Sequence, residues 1–300
     1  MFRTLVSCVL LFVVSNASAF SDEQVPAVLI RLPASVTSVF VAEIETANMH
    51  RFVRSEDVAE HSGSYYMSIG QAGAGKERSG DKRTPLGIYF VTEQLDTSRL
   101  HEKYGATAFP LDYPNAWDQR ARRSGDGIWV HGVDPQGGQR PERDTDGCIA
   151  LRNNDLVSLA DEFTDNVTPV IVVRAMRFTS AAENDALRRD LEESVARWAQ
   201  SQAQGDLHAF LSSYDTAFQR WGLNHSEWLS LLTAGAEGRT IETVDVSELL
   251  LLRYPEEDNL FLSRFRLKTV ADGTQVESMK RLYWRRDDQG ALKIIAENEG

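Results

Sequence analysis

The chain has 300 residues, 42% of them hydrophobic and 25% charged, with a formal net charge of -12. This is ordinary globular composition, long enough for two domains that each own a core. The acidic balance excludes a general binder of nucleic acid or anionic lipid, since neither polyanion is drawn to a negative surface.

The N-terminus opens with Met1-Phe2-Arg3, runs apolar from Leu5 to Val14 and reaches the small residues Ala17-Ser18-Ala19. This is the pattern of a signal peptide over residues 1–19; the run falls short of the roughly 18–20 apolar residues of a membrane span, and no later stretch reaches them. An exported, periplasmic protein with no membrane span is expected. Cys8 lies inside the apolar run and would leave with the peptide, so a lipoprotein anchor is not expected and Cys148 becomes the one remaining thiol.

From residue 20 to about 175 the pattern is of short strands separated by Gly, Pro, Asn and Asp clusters: Val39 to Ile44, Met49 to Arg54, Tyr65 to Ile69, Ile88 to Thr92, Ile128 to His131 and Val170 to Val173. One short helix interrupts them, with Asn153 or Asn154 as its cap and Leu156, Leu159 and Phe163 at helical spacing. Residues 176–181 read as a linker. A second domain over 182–300 opens with a long helix, announced by the capping-box pattern Ser180-Ala-Ala-Glu183 and carried by Leu187, Leu191, Val195 and Trp198. Gly205 ends that helix, Asp206 caps another through Phe210 and Tyr214, and a third surrounds Trp228 to Leu232. From Val244 onward long strands follow, in which Phe261, Phe265 and Leu267 alternate with Arg264, Arg266 and Lys268. The expected fold is a mainly β first domain followed by an α+β cone.

The chemistry is expected around Cys148. A lone thiol in an exported protein forms no internal disulfide, so it is either inert and buried or kept because it reacts. The preceding Gly147 allows a sharp turn and close approach of a substrate. A thiol with a pKa near 8.5 needs a base to become a good nucleophile, and His131, at the end of a strand seventeen residues earlier, can serve. The backbone N–H groups of Gly147 and Cys148 are candidates for an oxyanion hole. Such a set performs acyl transfer.

Three stretches carry a family resemblance: Gly80-Asp-Lys-Arg-Thr-Pro-Leu-Gly-Ile-Tyr89; Leu111-Asp-Tyr-Pro-Asn115 with Gly125-Asp-Gly-Ile-Trp-Val-His131-Gly132; and Thr145-Asp-Gly-Cys148-Ile. In this order they resemble the L,D-transpeptidase (YkuD-type) catalytic domain, over roughly residues 28 to 175. The resemblance implies a β-sandwich-like fold, Cys148 as nucleophile, His131 as proton donor and acceptor, and a substrate site that includes Gly132, Thr145, Asp146, Tyr113, Trp129 and Arg152. Many members have His before the Gly-Cys and Arg two residues after the Cys; here Asp146 and Ala150 stand there, and Arg152 is the guanidinium nearest in sequence. The implied substrate is a peptidoglycan stem tetrapeptide, cut between meso-diaminopimelate and D-alanine. The acceptor stays open: a second diaminopimelate, a lysine of an outer-membrane lipoprotein, or water, the last making a hydrolase with the same Cys/His pair. A non-catalytic wall-binding scaffold is the third reading, supported by Asp146 and Ala150.

The second domain resembles the NTF2-like (SnoaL-like) fold, whose implied roles are to dimerise, dock a partner or hold glycan; Trp198, Trp221 and Trp228 could line a pocket there, with core packing the plainer alternative. Gly70-Gln-Ala-Gly-Ala-Gly75-Lys76 has P-loop spacing, but Glu77 stands where Ser or Thr should bind Mg²⁺, so a flexible loop is expected, with Lys76 near a substrate carboxylate. His50, His61, His101, His208 and His225 show no paired ligand spacing, and neither a metal nor a cofactor is expected.

Overall fold

The computed structural model describes residues 24–55, 58–137, 140–238 and 240–300; the signal-peptide reading of residues 1–19 lies outside them. The N-terminal segment gives two short strands, β1 (Gln24–Pro26) and β2 (Leu29–Arg31). A mainly β domain follows, with β3 (Ser38–Glu43), β4 (Asn48–Ser55), β5 (Val58–Gly70), β6 (Gly87–Phe90), β7 (Ala108–Pro110), α1 (Ala116–Arg120), β8 (Trp129–His131), β9 (Arg143–Thr145), β10 (Ile149–Leu151), α2 (Asn153–Leu159) and β11 (Pro169–Val173). The strands form one mixed sheet in the order β6-β11-β3-β4-β5-β10-β8-β7, with β9 added on β5.

The second domain begins after β12 (Phe178–Ser180) and holds α3 (Ala181–Ala203), α4 (Leu207–Ser212), the small hairpin β13 (Gln219–Arg220) and β14 (Leu223–Asn224), α5 (His225–Ala236), and the long strands β15 (Ile241–Arg253), β16 (Leu260–Ala271), β17 (Thr274–Arg286) and β18 (Leu292–Glu299). The capping box forms as read: Ser180 Oγ accepts the Glu183 N–H at 3.2 Å, and Asp206 accepts the Ala209 N–H at 2.9 Å. Helices pack on one face of an antiparallel sheet, β18-β17-β16-β15-β2, an α+β architecture.

The last member of that sheet changes the domain division. The first domain was expected to begin at residue 20, yet β2 pairs with β15 through Leu251↔Arg31 and Leu252↔Leu29. The stretch expected as a linker is partly strand, since β12 pairs with β1. A three-residue strand carries too little periodicity to reveal a partner more than 200 residues away.

The other face of the C-terminal sheet packs on the first domain. One core lies inside the first domain around Phe40, Met67, Phe109, Val130 and Leu156, and another inside the second around Leu191, Trp198, Trp228 and Phe265. A third lies between them, joining Val39, Val41, Ile88, Phe90 and Ile171 to Leu250, Leu252, Leu262, Tyr283 and Ile295. The alternation read in β16 holds, with Phe261, Phe265 and Leu267 in the core under the helices. Arg264, on the opposite face, is 4% exposed and faces the first domain, where its guanidinium donates to the Asn166 carbonyl and lies 5.1 Å from the Phe90 ring centre. Arg281 lies over the same ring and pairs with Asp112. Of the three tryptophans, Trp198 and Trp228 are core residues, while Trp221 is 73% exposed.

The glycine-rich segment at 70–76 is joined to residues 82–84 by backbone hydrogen bonds, Ala72 N–H to the Lys82 carbonyl at 3.0 Å and Gly75 N–H to the Thr84 carbonyl at 2.8 Å. Lys76, expected at a substrate carboxylate, is buried and reaches Asp81 at 2.9 Å. Burial would raise the Asp81 carboxyl, but the backbone amides of Arg78, Glu77 and Arg83 and the Lys76 ammonium hold it well below the usual carboxylate range. Lys76→Ala leaves that half-buried carboxylate without its cation, so a loss of about 1–3 kcal/mol in urea unfolding at pH 7 is expected. A loss within experimental error would mean that the amides alone hold the charge.

Candidate active site

Cys148 sits where the turn after β9 enters β10. Gly147 there has φ +129, and a Cβ on it would come 2.8 Å from the Arg83 carbonyl oxygen, so both conformation and space require glycine. Thr145 shapes the turn: its hydroxyl donates to the Cys148 carbonyl at 2.7 Å and accepts the Gly147 N–H at 3.1 Å. The Gly147 amide is therefore engaged, which corrects the oxyanion hole expected of it. The Cys148 N–H has no acceptor among the described residues and remains the available donor.

β10 and β8 run parallel, with Ile149 opposite Val130 and Ala150 opposite His131. Cys148 stands directly before the first residue of β10, and His131 is the last residue of β8. Rigid neighbours hold this pair of strands: β5 on one side through Ala150↔Ser68, and β7 on the other through Ala108↔His131. The half-buried thiol donates to the Gly127 carbonyl at 3.3 Å, and no hydrogen bond joins it to His131 among the described residues.

His131 is 3% exposed. Its Nδ1 lies 2.6 Å from the Gly132 carbonyl oxygen, and because a carbonyl can only accept, Nδ1 carries the proton and Nε2 is the basic nitrogen. Burial lowers the imidazole to about 4, with Arg140 and Lys103 adding to the effect and the Gly132 hydrogen bond opposing it. Burial likewise raises the Cys148 thiol, together with Asp146, against a backbone hydrogen bond and the same two cations. The resting pair is thus thiol and neutral imidazole, not an ion pair. Tyr104 packs edge-on to His131 at 5.2 Å and on Trp129 at 4.8 Å between ring centres.

The residues expected to bind substrate divide. Asp146 is exposed, 3.9 Å from the Lys82 ammonium, and Trp129 is half-buried under Tyr104. Arg152 is exposed, with its guanidinium 5.9 Å from the Tyr66 ring centre. Three others are structural. Tyr113 is 5% exposed with its hydroxyl on the Ser124 carbonyl, Thr145 spends its hydroxyl inside the turn, and Gly132 is buried with its N–H on the Thr107 carbonyl. The sequence reading missed Lys103 and Tyr104, which lie in a single 3-10 turn over Glu102–Tyr104, and Arg140, which lies on a loop; all three reach the site through tertiary contacts.

Residues 39–172 match the family model of the L,D-transpeptidase catalytic domain (YkuD), and residues 190–298 match that of the Cds6 C-terminal NTF2-like domain. Among solved structures the chain is similar to Bd1075 of Bdellovibrio bacteriovorus, at 26% identity, covering 93% of this chain and 98% of that one, with a TM-score of 0.75. It is also similar in fold to the helical cell shape determining protein Pgp2 of Campylobacter jejuni, at 23% identity, covering 91% and 95%, with a TM-score of 0.76. No curated protein matches. The chain therefore carries an L,D-transpeptidase (YkuD-type) catalytic domain followed by an NTF2-like domain.

Proposed function

We propose that the chain is an exported cysteine acyltransferase of the cell wall, with Cys148 as nucleophile and His131 as proton carrier. The observation that supports this reading is the parallel pairing of β8, which ends at His131, with β10, which begins directly after Cys148, together with an imidazole held as the Nδ1–H tautomer. In the proposed reaction, Nε2 takes the thiol proton as sulfur attacks the carbonyl between meso-diaminopimelate and D-alanine in a stem tetrapeptide. The Cys148 N–H faces the developing oxyanion. Collapse breaks the C–N bond, the D-alanine amine leaves with the proton from His131, and a thioester remains. An incoming amine or water then gives a proton to Nε2, attacks the thioester and restores the thiol.

Two acceptors fit this scheme, and the charges favour one. Lys103 and Arg140 are the cations whose fields reach both Cys148 and His131. They attract a donor peptide with its carboxylates but repel an acceptor arriving as an ammonium ion, which favours water and a trimming reaction over a 3-3 crosslink. Exposed Asp146 works the other way. Disaccharide-tetrapeptide incubated with the protein and followed by mass spectrometry separates the outcomes, with Cys148→Ala as control. Tripeptide without dimer is expected, absent in the variant. A 3-3 dimer would make transfer to an amine the main path, and no change in either sample would overturn the acyltransferase reading for this donor.

A further inference from the structure

Asn153 reads in the sequence as the cap of α2, but the residue in the capping position is Arg152, with no side-chain cap, and the Asn153 amide points elsewhere. Its Oδ1 accepts the N–H of Ala106 at 3.1 Å and of Val133 at 3.0 Å, and its Nδ2 donates to the Val133 carbonyl at 2.8 Å. One half-buried amide thus ties the exit of β8 to the loop that follows Tyr104. Both tied segments touch His131. The Gly132 carbonyl, one residue before Val133, holds Nδ1, and the Tyr104 ring packs against the imidazole.

The glycines on either side show how closely the amide approaches. A Cβ on Gly132 would stand 2.1 Å from Asn153 Oδ1, and one on Gly105 would stand 2.2 Å from the same atom. Gly105 also has φ +66, a conformation that favours glycine, but Gly132 shows no positive φ. Space for the Asn153 amide is therefore the requirement at Gly132, which explains a glycine directly after the histidine without a role in binding substrate.

We infer that Asn153 is a positioning residue, which fixes His131 as the Nδ1–H tautomer by holding the Gly132–Val133 peptide and the Tyr104 loop in place. The inference rests on the reading of His131 as the base for Cys148. Without the amide, the Gly132 carbonyl is free to turn from Nδ1, and the proton can move to Nε2, where it blocks uptake of the thiol proton. A base in the wrong tautomer can cost about 10⁴-fold when its orienting group is lost outright. Here the carbonyl itself stays, so a smaller loss is expected, about 10- to 100-fold.

The test uses the full chain with ¹⁵N-labelled histidine, and the His131 ring signals are assigned by their loss in His131→Gln. In the wild type at neutral pH they should show a protonated Nδ1 and a bare Nε2. In Asn153→Ala they should move toward the Nε2–H form, with kcat for tetrapeptide cleavage down about 10- to 100-fold and KM within about twofold. Asn153→Asp keeps the acceptor for both amides and should recover part of kcat. Unchanged ring signals in folded Asn153→Ala overturn the inference, whatever the activity. Shifted signals with unaltered kcat support the positioning role and instead overturn His131 as the base. If Asn153→Ala does not fold, Gly132→Ala carries the test, because its methyl must displace the amide; wild-type ring signals in that variant would overturn the inference.

Discussion

Activity at pH 5 is expected to stay within about twofold of activity at pH 7, where a base with the ordinary pKa near 6.5 would retain only roughly 4%. The reason is the burial of His131, which lowers its imidazole to about 4, so that the ring is neutral and able to take a proton throughout this range. The profile of kcat/KM should therefore rise through about 4 and flatten above it. An inflection near 6.5 would mean that the ring is solvated and the site more open than described. His131→Gln removes the base and should lower kcat/KM by about 10²- to 10⁴-fold across the profile. The same burial has a consequence for stability. Between about 4 and 6.5 the unfolded imidazole binds a proton that the folded one does not, so stability falls as the pH falls through this window, by up to roughly 3 kcal/mol. Cys148 moves oppositely: burial raises it, so iodoacetamide should label it slowly at pH 7 and faster in the alkaline range. Ready alkylation near neutral pH would require an ion pair that this arrangement does not favour.

Much of this site was legible because its parts are local. A strand ending in His131, a glycine turn and a thiol are written in short stretches, and the hydrophobic pattern placed β3, β4, β6, β8 and β11 to within a few residues; β5 was read only from Tyr65, and the three-residue strands β7, β9 and β10 were not read at all. The parts that were not legible depend on long-range partners. Asn153 looks like a helix cap because capping uses the same residue type, and only the fold shows that its amide bonds Ala106 and Val133 instead. Tyr113 lies in a motif but packs in the core, and the Gly147 amide looked free until the Thr145 hydroxyl was seen to take it. Arg264 shows the same limit in the second domain. Alternation in a strand tells which residues share a face, but not that the polar face is covered by another domain.

A fragment that stops at residue 180 is expected not to fold, although the catalytic family model ends at residue 172. The core between the domains takes Val39, Val41, Ile88, Phe90 and Ile171 from one and Leu250, Leu252, Leu262, Tyr283 and Ile295 from the other, all nearly inaccessible to solvent. Removing the C-terminal sheet would expose the first set, and burial of such side chains stabilises by about 1.5–3 kcal/mol each, so the loss is on the order of 10 kcal/mol. That is comparable to the whole stability of a typical domain, about 5–15 kcal/mol. The polar ties point the same way. Asp112 would lose Arg281, the Asn115 amide would lose the Tyr254 hydroxyl at 3.0 Å, and β2 would lose its only sheet partner among the described residues. The fragment 24–180 should accordingly be aggregated or lack fixed tertiary packing by near-ultraviolet circular dichroism, while the full chain unfolds in one calorimetric transition. A soluble, packed fragment, or two well-separated transitions in the full chain, would show that the shared core is dispensable. In the expected case the two domains act as one folding unit, and a substitution in the C-terminal sheet that loosens this core would lower activity through the sheet that carries β8 and β10 without touching the site itself.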